Sequence, residues 1–109
     1  MSELHLTADF VLAATGGTLA AAGAAERFTG VSIDGRAVPT GGLWFAIQGE
    51  RFDGHQFAPQ ALESGAAGLV VARGWAAEVA AHGVPEEVTI IEVADTIEAL
   101  GALGKAWRL

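Results

Sequence analysis

GVSIDGRAVPTGGLWFAIQGERFDGHQF, residues 30–57, decides how this chain is read. Val31 and Ile33 alternate with Ser32 and Asp34, the two-residue period of a strand buried on one face. Pro39 to Gly42 supply a turn in which proline presets one dihedral and glycine permits a positive one. Residues 43–47, LWFAI, contain no polar position and predict a central strand covered on both faces. The polar, glycine-punctuated run 48–55 reads as a functional loop rather than a structural element. Pro59 then limits where the next helix begins: an interior proline costs about 3 kcal/mol, whereas the first turn has no amide bond to lose. That places the start between His55 and Ala58, with Phe57, Ala61 and Leu62 as the apolar face and Gly65 as the stop.

Outward from this block, Thr7 is a plausible N-cap for a helix over residues 8–15, with Asp9 in its first turn and Leu6 stapled onto Val11. Gly16 and Gly17 offer the left-handed conformation that ends it, and the Ala-rich run that follows is ambiguous between helix and loop. Toward the C-terminus, residues 68–72 and 88–93 read as strands separated by the helical WAAEVAAH, closed by Gly83 and Pro85, a spacing long enough for a crossover between parallel strands. Asp95 with Glu98 makes a capping box for a last helix whose apolar face is Ile97, Leu100, Leu103 and Trp107, with Lys105 and Arg108 at its end. The expected fold is therefore α/β, a small mixed β-sheet flanked by helices. The chain stops at Leu109 with no closing strand, which suggests a cut at a domain junction.

The 109 residues fit one domain, and an apolar share of 51% builds one modest core. With no transmembrane-length apolar run and acidic residues in MSELHLTADF, a soluble cytoplasmic protein without a targeting peptide is expected. A formal charge of −7 argues against nucleic-acid and anionic-membrane surfaces, which need clustered Lys and Arg. Cysteine is absent and His5, His55 and His82 are scattered, so a metal bound by this chain alone is not expected. Only six basic residues are present, which makes the positions of Arg36 and Arg51 important.

Asp34, Gly35 and Arg36 fall where a strand ends, so the arginine can turn toward a pocket at the sheet edge while Gly35 lets a ligand approach the backbone. The same residues also make an ordinary strand exit with a solvated arginine. Gly49, Glu50, Arg51, Phe52, Asp53, Gly54 and His55 combine backbone amides, a cation, an aromatic ring and a helix start, the parts of a phosphate cradle. Read singly, Asp53 is also a turn or helix cap, Phe52 core and His55 a surface residue. A hydrolytic triad of Ser32, Asp53 and His55 is disfavoured, because GVSID lacks the second glycine of a nucleophile elbow and Ser32 sits inside a strand. Nothing fixes the separation of Asp34 and Asp53 for acid–base work. Trp44, Trp75 and Trp107 lie in apolar patterns and read as core. A P-loop is excluded: Lys105 is the only lysine, and Ala106 follows it.

VSIDGRAVPTGGLWFAIQGERFDGHQF, then ALESGAAGLVV, then VADTIEALGALGKAWR, resemble in order and spacing the N-terminal, UDP-substrate-binding domain of the Mur ligases. GERFDGHQF and DTIEALGALGKAWR resemble the branch that adds D-alanyl-D-alanine to UDP-MurNAc-tripeptide (MurF type) more than the diaminopimelate- or lysine-adding branch (MurE type). The resemblance implies a cytoplasmic step of peptidoglycan synthesis in which ATP activates a peptide carboxylate as an acyl phosphate and the dipeptide attacks it. In such ligases the first domain holds the UDP end, a central P-loop domain binds ATP and Mg, and a third helps bind the dipeptide. Residues 1–109 would be the first of these alone, with no catalytic residue, cofactor or metal of its own. UDP-MurNAc-tripeptide and the central and C-terminal domains would be its partners. The implied UDP contacts are Ile33, Asp34, Gly35 and Arg36 in one segment and Gly49, Glu50, Arg51, Phe52, Asp53, Gly54 and His55 in the other. Gly35 departs from the serine of the family's usual Asp-Ser-Arg motif; one lost neutral hydrogen bond would weaken binding by about 0.5–1.5 kcal/mol. The rival readings are a stand-alone nucleotide-sugar-binding or regulatory module, the matching domain of a MurE-type ligase, and a small hydrolase built on Ser32.

Overall fold

The computed structural model describes residues 6–24, 27–47, 54–81 and 83–107, with His55 and Trp107 described by backbone alone. Helix α1 (Ala8–Thr15) starts as its sequence directs: the Phe10 amide donates to Thr7 Oγ1 at 3.0 Å, and Leu6 and Val11 are both buried in one cluster. Gly16, at φ 72°, ends it by donating to the Leu12 carbonyl. The Ala-rich run after it, read as helix or loop, begins as a strand and continues through Ala22–Ala24 without regular structure. Thr18–Ala21 forms strand β1, paired antiparallel with Thr89–Val93 (β5) and irregular in register between Leu19 and Ala21.

Strands β2 (Val31–Ser32), β3 (Leu43–Phe45), β4 (Gly68–Ala72) and β5 run parallel, in the sheet order β1-β5-β4-β3-β2. One antiparallel edge on four parallel strands is the mixed sheet the sequence predicted. β2 is shorter than expected, because the Asp34 amide donates to Ser32 Oγ and turns the chain. Ile33, expected on the buried face, is therefore 56% exposed. The turn into β3 closes with the Gly42 amide on the Pro39 carbonyl at 2.8 Å, and Gly41 takes φ 82°. β3 is covered on both faces: Leu43, Trp44, Phe45 and the following Ala46 are all buried.

Strand alternation divides the core in two. On one face Trp44, Ala46, Leu69, Val71 and Ile90 pack with Ala58, Ala61 and Val79 from α2 (Ala58–Ser64) and α3 (Ala76–Ala80). On the other, Leu43, Phe45, Val70, Ile91 and Val93 pack with Val11 of α1 and Ala99 and Leu103 of α4 (Thr96–Trp107). Asp95 caps α4 through Oδ1, which accepts from the amides of Ile97 and Glu98. Ile97 was expected on the apolar face but is 55% exposed, since it lies more than a third of a turn round from the line of Ala99 and Leu103. Phe57, expected on the apolar face of α2, instead ends a 3-10 turn (Gly54–Phe57) that leads into the helix and is partly exposed. Pro59 stands in the first turn of α2, and Gly65 at φ 112° terminates it. Among the described residues no helix is long and apolar enough to cross a membrane.

Candidate functional site

Beyond the end of β2 the chain makes a short 3-10 turn, Gly35–Ala37. Asp34 builds it: Oδ1 accepts from the Arg36 amide at 2.9 Å and from Arg36 Nε at 3.2 Å, while Oδ2 accepts from Nη2 at 3.4 Å. The pair is exposed, so it orients the guanidinium more than it stabilises the fold. Donation by the Arg36 side chain, then by its amide, holds the Asp34 carboxyl below its ordinary value, and the same side-chain bond raises Arg36.

Gly35 is buried against α2. A Cβ there would come within 3.0 Å of the Phe57 carbonyl oxygen, and Ser64 Oγ donates to the Gly35 carbonyl at 2.8 Å. The closest demand on Gly35 is thus the approach of the 3-10 turn at Phe57 and of Ala61 in α2, and the Ser64 bond fixes the Asp34–Arg36 turn to the helix. Beside this turn lies a hollow of about 600 Å³. Ile33, Asp34, Gly35 and Arg36 form one wall. Ile47 and Gly54 form another, joined by a hydrogen bond from the Gly54 amide to the Ile47 carbonyl at 2.9 Å. Trp44 lines the hollow from β3, and Phe57 and Gln60 line it from the 3-10 turn and α2.

Of the residues singled out in the sequence, Ile33, Asp34, Gly35, Arg36 and Gly54 meet around this one hollow. Gly49, Glu50, Arg51, Phe52 and Asp53 lie outside the described residues, and for His55 only the backbone is described. Ile47 and Gly54, the described residues that flank this segment, both line the hollow. Trp44, Ile47, Phe57 and Gln60 were not read as site residues. Trp44 is core, as its pattern indicated, at 1% exposure, but it also reaches the hollow. Its Nε1 is buried and has no hydrogen-bond partner, an arrangement that costs about 1–3 kcal/mol.

The arrangement suits an anionic ligand with an apolar end: an exposed guanidinium beside the apolar side chains of Ile33, Trp44, Ile47 and Phe57. A second hollow of about 370 Å³ between α2 and α3 is lined by Leu62, Trp75, Val79 and Glu78, and no cation stands among its described residues. It does not suit an anion. No group of three His, Asp or Glu side chains among the described residues is placed to hold a metal. Lys105, the only lysine in the sequence, stands near the end of α4.

Comparison with known proteins matches residues 27–108 to the Mur ligase family, catalytic domain. The UDP-N-acetylmuramoyl-tripeptide–D-alanyl-D-alanine ligase of Synechocystis is 37% identical over 82 residues, covering 75% of this chain and 17% of the relative. The UDP-N-acetylmuramoyl-L-alanyl-D-glutamate–2,6-diaminopimelate ligase of Gloeobacter violaceus is 38% identical over 78 residues, covering 72% of this chain and 15% of the relative. Among solved structures, MurF from Acinetobacter baumannii superposes with a TM-score of 0.74 at 27% identity, over 97% of this chain and 21% of that one. The chain thus spans only 15–17% of the length of these curated relatives. Its mixed sheet and flanking helices match the N-terminal domain fold of such ligases. With residues 27–108 inside the family pattern and relatives of both ligase kinds at similar identity, the chain belongs to the Mur ligase family.

Proposed function

We propose that this chain is the portion of an ATP-dependent peptidoglycan ligase that holds the UDP end of a UDP-MurNAc-peptide, and that the Asp34–Arg36 turn and the loop 49–55 are its two grips. The observation that carries the proposal is the hollow itself. The exposed Arg36 and four apolar side chains line it together, and Ile47 and Gly54, which flank residues 48–53, are hydrogen-bonded to each other in its wall. Diphosphate on the guanidinium and on loop amides, with the base on the apolar side chains, matches that distribution of charge. The domain binds and does not catalyse, since it carries no P-loop; ATP and Mg belong to further domains of a cytoplasmic enzyme. Relatives of the two ligase kinds differ by one per cent in identity. The assignment to the D-alanyl-D-alanine-adding type therefore rests on GERFDGHQF, DTIEALGALGKAWR and the likeness to MurF.

Titration calorimetry tests the binding. UDP-MurNAc-tripeptide gives heat, Arg36→Ala weakens it roughly 10- to 100-fold as a charged hydrogen bond is lost, and Arg51→Ala weakens it as well. ATP gives none. An equal response to ATP, or unchanged affinity in both arginine variants, refutes the site. For the ligase type, phosphate release by the intact enzyme should depend on UDP-MurNAc-tripeptide with D-alanyl-D-alanine, not on the dipeptide precursor with diaminopimelate.

A further inference from the structure

Trp44 holds a hydrogen-bond donor that the folded domain leaves unused. Its indole ring is packed among Ala46, Leu69 and the helices of one sheet face, yet Nε1 is buried with no acceptor, and the residue lines the hollow beside Arg36. A phenylalanine would supply aromatic bulk at this position without burying a polar atom. The hollow's other apolar lining residues, Ile33, Ile47 and Phe57, suit the flat faces of a heteroaromatic base. Such a base presents carbonyl oxygens at its edge, and one isolated donor is the complement of one carbonyl. A phosphate would call for the Arg36 cation instead, and a sugar for several polar partners.

Resting on the reading of this hollow as a uridine-nucleotide site, we propose that the Trp44 indole N–H is a positioning donor for a carbonyl oxygen of the pyrimidine base. It anchors the base while Arg36 engages the diphosphate. Nε1 is buried, so the contact forms with a local shift of the residues that line the hollow beside Trp44, of which Phe57 and Gln60 are exposed.

The test uses UDP as the probe and the three tryptophan indole resonances of the ¹⁵N-labelled protein, identified with Trp75→Phe and Trp107→Phe. On titration the Trp44 indole proton should move downfield in step with binding. Trp44→Phe should weaken UDP roughly 5- to 10-fold, with a melting temperature equal to or above the parent's, because the substitution also removes an unpaired buried group. A Trp44 resonance that stays in place while UDP binds overturns the inference. So does a Trp44→Phe protein that melts lower yet binds UDP as tightly, the behaviour of a purely structural ring. If Trp44→Phe does not fold, the resonance in the parent protein decides alone. Failure of the parent to bind UDP at all removes the uridine reading and this inference with it, and is distinguished by the absence of any shift.

Discussion

Arg36 commits two of its five N–H groups to Asp34, which leaves donors available for an anion without breaking the pair. The aspartate therefore orients the guanidinium while it stays available. Its carboxyl sits below the unfolded value of 3.8, chiefly because the Arg36 side chain donates to it. The pair's small contribution is therefore complete above pH 3.8 and is lost as pH falls through the lower folded value. Carboxyl carbon shifts should show Asp34 titrating below 3.8 in the folded protein, and Arg36→Ala should move the midpoint back up. A native midpoint at or above 3.8 would contradict the pairing. At this scale the sequence was informative because the interactions are local: Thr7 caps three residues ahead and Asp34 bonds two residues ahead. The orphan donor of Trp44 was not legible, since whether an indole N–H finds an acceptor depends on what folds over it.

Among the elements, α3 is short and has no side-chain cap from its own N-cap residue, Trp75. Its start is held from outside: Glu92 on β5 accepts from the amides of Gly74 and Ala76 through Oε2, at 3.0 and 3.1 Å. Glu92→Ala should cost about 1–3 kcal/mol, read in urea as a lower midpoint with an unchanged m-value. No change in midpoint would mean that the two bonds contribute nothing net. The fully apolar β3 and the capped α1 and α4 were legible because burial on two faces and capping leave a local trace. Strand β1 was not. TLAA has neither alternation nor β-branched bulk beyond Thr18, and what makes it a strand is the edge of β5, some seventy residues away. Ile33 and Ile97 were placed by period, but the Ser32–Asp34 turn rotates one outward and the helix phase set by Ala99 and Leu103 the other.

For the whole molecule, a ligand that binds only the native state raises stability by mass action. UDP-MurNAc-tripeptide at about 100 times its dissociation constant adds about 2.7 kcal/mol, or roughly 10–20 °C in melting temperature for a domain of this size. Differential scanning fluorimetry should show that rise, its reduction in Arg36→Ala, and none with ATP; an equal rise with ATP would count against the assignment. The sheet order was only partly written in the sequence, because pairings between distant strands are decided by packing on both faces at once. The clasp between Ile47 and Gly54 has one more consequence. Because the segment 48–53 begins and finishes at a single amide–carbonyl junction, its length is uncoupled from the strand beneath, and doubling a flexible insert costs only about 0.6 kcal/mol in closure entropy. Insertions or deletions between Ile47 and Gly54 should therefore leave the strands in register, which amide hydrogen exchange of β3 and β4 would check.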